Sequence, residues 1–513
     1  MTNLSPRSSP RLPILLLLVS LRVFAADQFA PVRESIQAKL PQRHVASLAV
    51  GVAKGDKILW EQGFGWANRE KRISADAHTM YSLASISKPM TATALMTLVK
   101  AGKIDLDKPV NNYLESAKIR ARIGDVDQAT VRRVANHSSG LPEHYQFFYD
   151  DEPWRPPSAD ETIRRFGNLL TAPGEYFRYS NLGYGILSYI ISRVSGLTYA
   201  DYMRQEVFLK LGLSRTSAAP TPELTDYQAV RYGQDGQPIA RYEFDHDGAS
   251  AVCSSVHDLL RFAMFHQKLH LPDQVAILPD NLIDAMQPPT MDEGAGEGYG
   301  IGWDISHDSG TTVVSHSGGM PGVASWLRIV PSEKLTVVVL SNSDDRLAHI
   351  ISDEIMEVMI PGWKPAPNPP SSAPGDFVPP KEIIGVWKGK VATYQSAIPF
   401  TLRVESNGDI HVELGNQLKT LLNRPRFSSD EFLQGVFAGS IGIPDATRRP
   451  YVLTLNLKLR NGNVLSGAIS AKADEPGTMP AFDLVPAVVG QPRPARIQKQ
   501  AFILTQWAEL SKQ

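Results

Sequence analysis

The chain has 513 residues and is 42% hydrophobic, a length that exceeds one ordinary core and points to two domains. Its 52 Lys plus Arg nearly cancel its 53 Asp plus Glu, so there is no strong field to gather nucleic acid or an anionic membrane, and a small-molecule or peptide substrate is the expected partner. One cysteine, Cys253, excludes an intrachain disulfide, and the fold must be held by its core.

Residues 1–26 carry Arg7 and Arg11, an apolar run from Ile14 to Leu21, and the small pair Ala25-Ala26, the pattern of a cleaved secretory signal. The run is shorter than the roughly 20 residues that span a bilayer, Arg22 ends it, and no cysteine is near for lipidation. A secreted or periplasmic protein without a stable membrane anchor is expected.

Val45 to Val52 and Ile58 to Trp60 then read as strands joined by the turn Lys54-Gly55-Asp56-Lys57. Helical spacing follows in Met90 to Lys100 before Gly102, in Gly185 to Val194 before Gly196, and in Val256 to His266. Cys253 lies in the apolar stretch Ala249 to Ser255 with no histidine beside it and reads as a small buried hydrophobe. Trp326 to Val330 and Leu335 to Ser341 are strands about the turn Pro331 to Lys334, and Ala348 to Met359 reads as a closing helix. Both ends of residues 27–360 thus contribute to one antiparallel sheet, with a helical block inserted.

Eight prolines between Pro361 and Pro380 make residues 361–380 a semi-rigid linker. Beyond it the pattern has period two. Phe400, Leu402 and Val404 precede Asn407-Gly408, and Ile410, Val412 and Leu414 follow; Leu453 to Leu459, Asn461-Gly462 and Val464 to Ala471 repeat the arrangement. An antiparallel β-barrel over residues 381–490 is expected, and the tail, 491–513, reads from Ala495 to Lys512 as an amphipathic helix.

Ser85-Ile86-Ser87-Lys88 is a Ser-x-x-Lys motif at a helix start, where a serine and a lysine three apart share one face. The free N–H groups and positive dipole end there suit an oxyanion and depress a lysine pKa. Tyr179-Ser180-Asn181 stands just before another helix. A tyrosine beside a lysine cation can be lowered towards the role of a base, and Asn181 can bridge lysine and substrate. His316-Ser317-Gly318-Gly319 ends a β-rich segment, and its glycines let a substrate backbone approach a strand edge. The 12 histidines are scattered and form no His-Glu-x-x-His, so neither a metal nor another cofactor is expected.

Taken in order, these motifs resemble those of the β-lactamase-related serine hydrolases: class C β-lactamases, D-alanyl-D-alanine carboxypeptidases, D-aminopeptidases, family VIII esterases and the mitochondrial β-lactamase-like protein. Asn136-His137-Ser138-Ser139-Gly140-Leu141-Pro142, Tyr299 to Trp303, Pro321-Gly322 and Leu340-Ser341-Asn342 extend the resemblance across Gln28 to Met359. It implies an α/β, transpeptidase-like domain, followed by a lipocalin-like barrel. It also implies acylation of Ser85, with acid and base work shared by Lys88 and Tyr179. Asn181, His316, Ser317, Gly318 and, by its place after Pro142, His144 would contact substrate, and the N–H groups of Ser85 and Gly319 would form the oxyanion hole.

A histidine stands at position 316 where the family's lactamases carry a lysine for the β-lactam carboxylate, and at neutral pH it offers a hydrogen bond instead of a charge. Amide or peptide hydrolysis of the D-amino-acid peptidase or carboxypeptidase type ranks first, carboxylester hydrolysis second and β-lactam hydrolysis third. An inactive scaffold carrying a ligand-binding barrel is the non-enzymatic alternative.

Overall fold

A computed structural model of the chain describes residues 27–294, 297–364, 377–473 and 502–513. The proposed signal segment, 1–26, lies outside the described residues, as does most of the proline-rich linker. No helix among the described residues is long and apolar enough to cross a membrane.

The first domain is built on an antiparallel sheet. Its central strands are β1 (Ser47–Lys54), β2 (Lys57–Asn68), β3 (Thr311–Met320), β4 (Val323–Val330) and β5 (Leu335–Ser341), side by side in the order β3-β4-β5-β1-β2. The chain's two ends therefore meet at the β1–β5 pair, with Val50 opposite Val339. Both faces of β1 are covered, which is why it reads as an unbroken apolar run. Leu48, Val50 and Val52 meet Ile36 of α1 (Ala30–Gln42) and Ile351 and Ile355 of α5 (Leu347–Met359). Ala49 and Ala53 face the helical block between, which holds α2 (Ser87–Lys100), α3 (Asn181–Ser195) and α4 (Val256–His266). Burial of a side chain such as Ile351 contributes roughly 2 kcal/mol. A Cβ on Gly51 would lie 3.0 Å from Leu260, so α4 rests directly on β1.

Helix ends fall where the sequence places them. Ser180 caps α3 by accepting from Gly183 N at 2.9 Å, and Gly196, at φ 77°, ends it. Ser255 accepts from Asp258 N at the start of α4. At the other end of α4, His266 is buried against Trp303 with Nε2 2.9 Å from Thr93 Oγ1 of α2. Burial holds its pKa down at about 3, so the native imidazole is neutral. In the unfolded chain it titrates near 6.5, so its contribution to stability is present above that pH and is lost as pH falls from 6.5 towards 3. Each such histidine gives a slope of about 1.4 kcal/mol per pH unit. Urea unfolding between pH 7 and pH 4 is expected to show stability falling with acid, and His266→Gln should flatten the slope by one proton's share.

The second domain is a nearly closed antiparallel barrel. It contains β6 (Gly385–Ala392), β7 (Ala397–Val404), β8 (Ile410–Leu414), β9 (Phe432–Phe437), β10 (Val452–Arg460), β11 (Val464–Ala473) and β12 (Phe502–Lys512), in the order β8-β7-β6-β12-β11-β10-β9. Phe400, Leu402, Val412, Leu455 and Leu457 fill its interior, as their alternation requires. Asn461 (φ 51°) and Gly462 (φ 70°) take up the left-handed turn between β10 and β11. The described part of the tail, contrary to the helix expected there, is a strand. Phe502–Lys512 is inserted between β6 and β11, with Ala392 opposite Trp507 and Ala473 opposite Phe502. Phe502, Leu504 and Leu510 face the barrel core, while Trp507 packs outward against Leu170 of the first domain. Apolar on both faces, the segment lacks the alternation that would have marked it as a strand. Residues 491–501 lie outside the described residues.

Candidate active site

Ser85 sits in a 3₁₀ turn, Ala84–Ile86, that runs directly into α2, with Ala84 in the left-handed region at φ 49°. The turn is pinned from two sides. Leu83 N donates to Val252 O at 2.9 Å, and Ser325 Oγ of β4 donates to Leu83 O at 2.7 Å. Such over-determination is what sustains a sparsely populated backbone conformation next to a reactive group. One turn on, Lys88 is fully buried. Its Nζ lies 3.0 Å from Ser85 Oγ, 2.8 Å from Asn181 Oδ1 and 3.3 Å from Ala249 O. No carboxylate touches it, and burial holds its pKa well below the ordinary lysine range, opposed by the charge of Glu143.

Tyr179, Ser180 and Asn181 are held by the loop 136–143. Ser180 Oγ donates to Pro142 O at 2.6 Å, Asn181 N to Glu143 O at 2.8 Å, and Ser180 N to His137 Nδ1 at 3.1 Å. Gly140 must be glycine here: its φ is 84° and a Cβ would sit 2.3 Å from Thr171 O. The Tyr179 ring lies beside the lysine, with Lys88 Nζ 4.6 Å from its centroid. Contrary to the expectation of a lowered phenol, burial pushes the Tyr179 pKa up, only partly opposed by Ser85. The phenol therefore holds its proton more tightly than a free tyrosine, while Lys88 holds its proton less tightly than a free lysine.

Strand β3 closes the other side. Its neighbour Asp304–Asp308 pairs with it only as far as Ser315, so residues 316–320 have an edge free of sheet pairing. That edge faces the nucleophile turn so closely that a Cβ on Gly318 would lie 2.1 Å from Leu83 O and 3.1 Å from Ser85 N. Ser317 and Gly319 are exposed, whereas His316 and Gly318 point inward. Cavities of about 520 and 410 Å³ open beside this strand, with Met320 lining both.

His316 is near Lys88 and Tyr179, but both its ring nitrogens are engaged. Nε2 is 2.8 Å from Tyr299 Oη and Nδ1 2.6 Å from Ser317 O. Because the carbonyl only accepts, Nδ1 carries the proton and Nε2 accepts from the Tyr299 hydroxyl. Burial, aided by the nearby Lys88, lowers its pKa to about 3. His316 therefore braces the strand and presents neither a charge nor a free nitrogen to substrate.

Ser85, Lys88, Tyr179 and Asn181 are thus brought together, with Ser317, Gly318 and Gly319 alongside. His144 is not part of this group. At φ 46° its side chain turns into the protein, is fully enclosed, and donates from Nε2 to Asp245 Oδ2 at 2.8 Å, so it cannot touch substrate. Cys253 is half-buried, with Sγ 3.6 Å from Ser82 Oγ on the wall of the smaller cavity, instead of being a fully buried hydrophobe. The Ala249 carbonyl and Tyr299 are members that motif reading left without a role.

Residues 32–356 match the family model described as Beta-lactamase. The chain is 28% identical over 329 residues to penicillin-binding protein 4* of Bacillus subtilis (strain 168), an alignment covering 60% of this chain and 70% of that protein. It is 25% identical over 323 residues to protein flp of Staphylococcus aureus (strain N315), covering 62% of this chain and 63% of that one. Among solved structures, the octameric penicillin-binding protein homologue from Pyrococcus abyssi shares the fold over 86% of this chain and 97% of its own, with a TM-score of 0.56 and 24% identity. SurE crystallised with D-Leu also covers 86% of this chain and 97% of its own, at a TM-score of 0.60 and 19% identity. A class C β-lactamase covers 66% of this chain and 99% of its own, at a TM-score of 0.57 and 18% identity. With the family model spanning more than half the chain and a serine, a buried lysine and a tyrosine gathered at one helix start, the protein belongs to the Beta-lactamase family of serine hydrolases.

Proposed function

We propose that the protein cleaves amide or peptide bonds of D-amino-acid substrates through an acyl-enzyme on Ser85. The observation that carries this reading is the 3.0 Å approach of Lys88 Nζ to Ser85 Oγ in a buried site that disfavours the charged form of the amine. A neutral amine has two N–H groups and one lone pair. Asn181 Oδ1 and Ala249 O take the hydrogens, and the lone pair receives the Ser85 proton as Oγ attacks the carbonyl carbon. The N–H groups of Ser85 and Gly319 donate to the oxyanion, and the Tyr179 phenol gives its proton to the departing amine. Water then attacks the acyl carbon and gives its proton to the Tyr179 phenolate, and Lys88 returns its proton to Ser85 Oγ as the acid departs.

His316 argues for an amide substrate over a β-lactam, because it offers no fixed positive charge for a ring carboxylate. The D-configuration is supported by SurE, a fold relative determined with D-leucine. A panel of D-amino-acid amides, D-Ala-D-Ala peptides, p-nitrophenyl esters and nitrocefin tests the proposal. The D-amides or peptides should give the highest kcat/KM, and Ser85→Ala should abolish all turnover. Faster turnover of short esters than of every amide would make the enzyme an esterase. Equal rates for wild type and Ser85→Ala would leave only a scaffold.

We infer further that residues 1–26 direct secretion, on the strength of the charged, apolar and small-residue order noted above. Protein recovered from the periplasm or medium should begin at Asp27, and retention of Met1 in exported protein would contradict this.

A further inference from the structure

We propose that Glu61, His78 and His257 form a binding site for a divalent transition-metal ion, best suited to zinc. The three are far apart in sequence, but their ligand atoms all lie within 4.8 Å of one another. His257 Nδ1 is 2.9 Å from Glu61 Oε2, and the His78 and His257 ring centroids are 4.9 Å apart. Ligand atoms around tetrahedral zinc, at bonds of about 2.0–2.2 Å, stand about 3.3–3.5 Å from each other. Rotation of side chains alone closes the remaining gap.

The backbones that carry the ligands are fixed. Glu61 lies on β2 opposite Gly51, the residue against which Val256 and Leu260 of α4 pack, so the first turn of α4 stands over Glu61's neighbour in the sheet. His257 N donates to Ala77 O at 3.3 Å, tying α4 to the loop that bears His78. That loop is itself closed by His78 N on Asp76 Oδ1 and by Thr79 Oγ1 on Asp76 Oδ1, both 2.9 Å. His257 and Glu61 are each little more than a quarter exposed and His78 is exposed, so an ion can enter from solvent and keep a water in the fourth position.

The donor set selects the ion. Calcium and magnesium require six or more oxygens, whereas two imidazoles and a carboxylate suit zinc, copper, nickel or cobalt. The site's position gives it a structural role. The loop of His78 leads into the strand Tyr81–Ser82 and on to Ser85, and that strand pairs with Cys253–Ser254, which leads into His257. A bound ion would clamp the outer end of the pair whose continuation holds the nucleophile turn.

The test uses the whole protein, stripped with a chelator and titrated with zinc chloride by calorimetry and with cobalt chloride by visible absorption. Saturable uptake of one equivalent, tetrahedral-type cobalt bands and a rise of a few degrees in the unfolding midpoint are expected. Glu61→Gln, His78→Ala and His257→Ala should each weaken binding by at least about tenfold, while His270→Ala, at an exposed histidine elsewhere, should leave it unchanged. His78 is exposed, so its variant tests the site without threatening the fold. Absence of saturable uptake by the wild type, or uptake unaltered in the His78→Ala, His257→Ala double variant, would overturn the proposal; neither result bears on acylation of Ser85.

Discussion

Lys88→Met is expected to slow acylation of Ser85 by about a hundred- to ten-thousand-fold, the range of a positioned general base. Methionine matches the length and apolar stem of the lysine but has no group to take the serine proton. The loss corresponds to about 2.7–5.5 kcal/mol of barrier. Stability should change far less. Asn181 Oδ1 and Ala249 O each lose a donor, at about 1–3 kcal/mol when left unsatisfied, but the cost of burying the amine disappears with it. Arginine should be no better, since it remains protonated at every relevant pH and a buried, unpaired guanidinium is disfavoured. The pH dependence separates this role from a structural one. Burial lowers the Lys88 pKa, so kcat/KM of the wild type should rise with pH through that lowered value and level off below the ordinary lysine range. The residual activity of Lys88→Met should lack that limb. Stopped-flow acylation by a p-nitrophenyl ester measures both, and a variant within tenfold of wild type would assign the base elsewhere.

Why some of this was legible in the sequence and some was not follows from the range of the interactions. Gly196 and Asn461-Gly462 act on their own backbone, so helix-end and turn chemistry marked them correctly, whereas the capping role of Ser180 emerges only from the structure. The period-two runs around Leu402, Val412 and Leu455 face water on one side and disclose their strands. Phe502 to Ala508 is buried on both faces, and a doubly buried strand lacks that alternation. Lys88 and Ser85 are neighbours on one helix, and Tyr179 and Asn181 carry recognisable side chains. The Ala249 carbonyl that completes the lysine's environment is backbone and has no letter of its own. His144 and His316 are assigned to substrate by motif position, yet a left-handed φ turns His144 into the protein, and Tyr299 and the Ser317 carbonyl engage both ring nitrogens of His316. Glu61, His78 and His257 meet only because β2 and α4 pack together.

Arg448→Met should destabilise the protein by about 3–5 kcal/mol and lower kcat by roughly tenfold, because this one barrel residue holds the wall of the active site. Arg448 is buried in the turn between β9 and β10. Its Nη1 donates to Phe147 O at 3.0 Å, its Nη2 to Gln146 Oε1 at 2.8 Å, and its guanidinium lies 4.5 Å from the Phe148 ring centroid. Gln146 belongs to the strand Tyr145–Tyr149, whose first residues pair with the start of β12, and its Nε2 donates to Asp245 Oδ2 at 2.7 Å. Asp245 also accepts from His144 and His246, each at 2.8 Å, and these contacts hold its carboxyl well below the usual range despite burial. Four residues later Ala249 O receives Lys88 Nζ, and Gly248 O receives Thr91 Oγ1 of α2 at 2.7 Å. Methionine fills the space but leaves Gln146 Oε1 and Phe147 O without donors and Asp245 without the nearby cation. The consequence for catalysis is a loosened Ala249 segment, so kcat should fall while KM changes little, and Arg448→Lys should restore part of the stability because it keeps the charge but supplies a single point donor. Urea unfolding and steady-state kinetics on the same preparations measure the two effects. A variant that loses stability with kcat intact would make the barrel a brace for the fold alone.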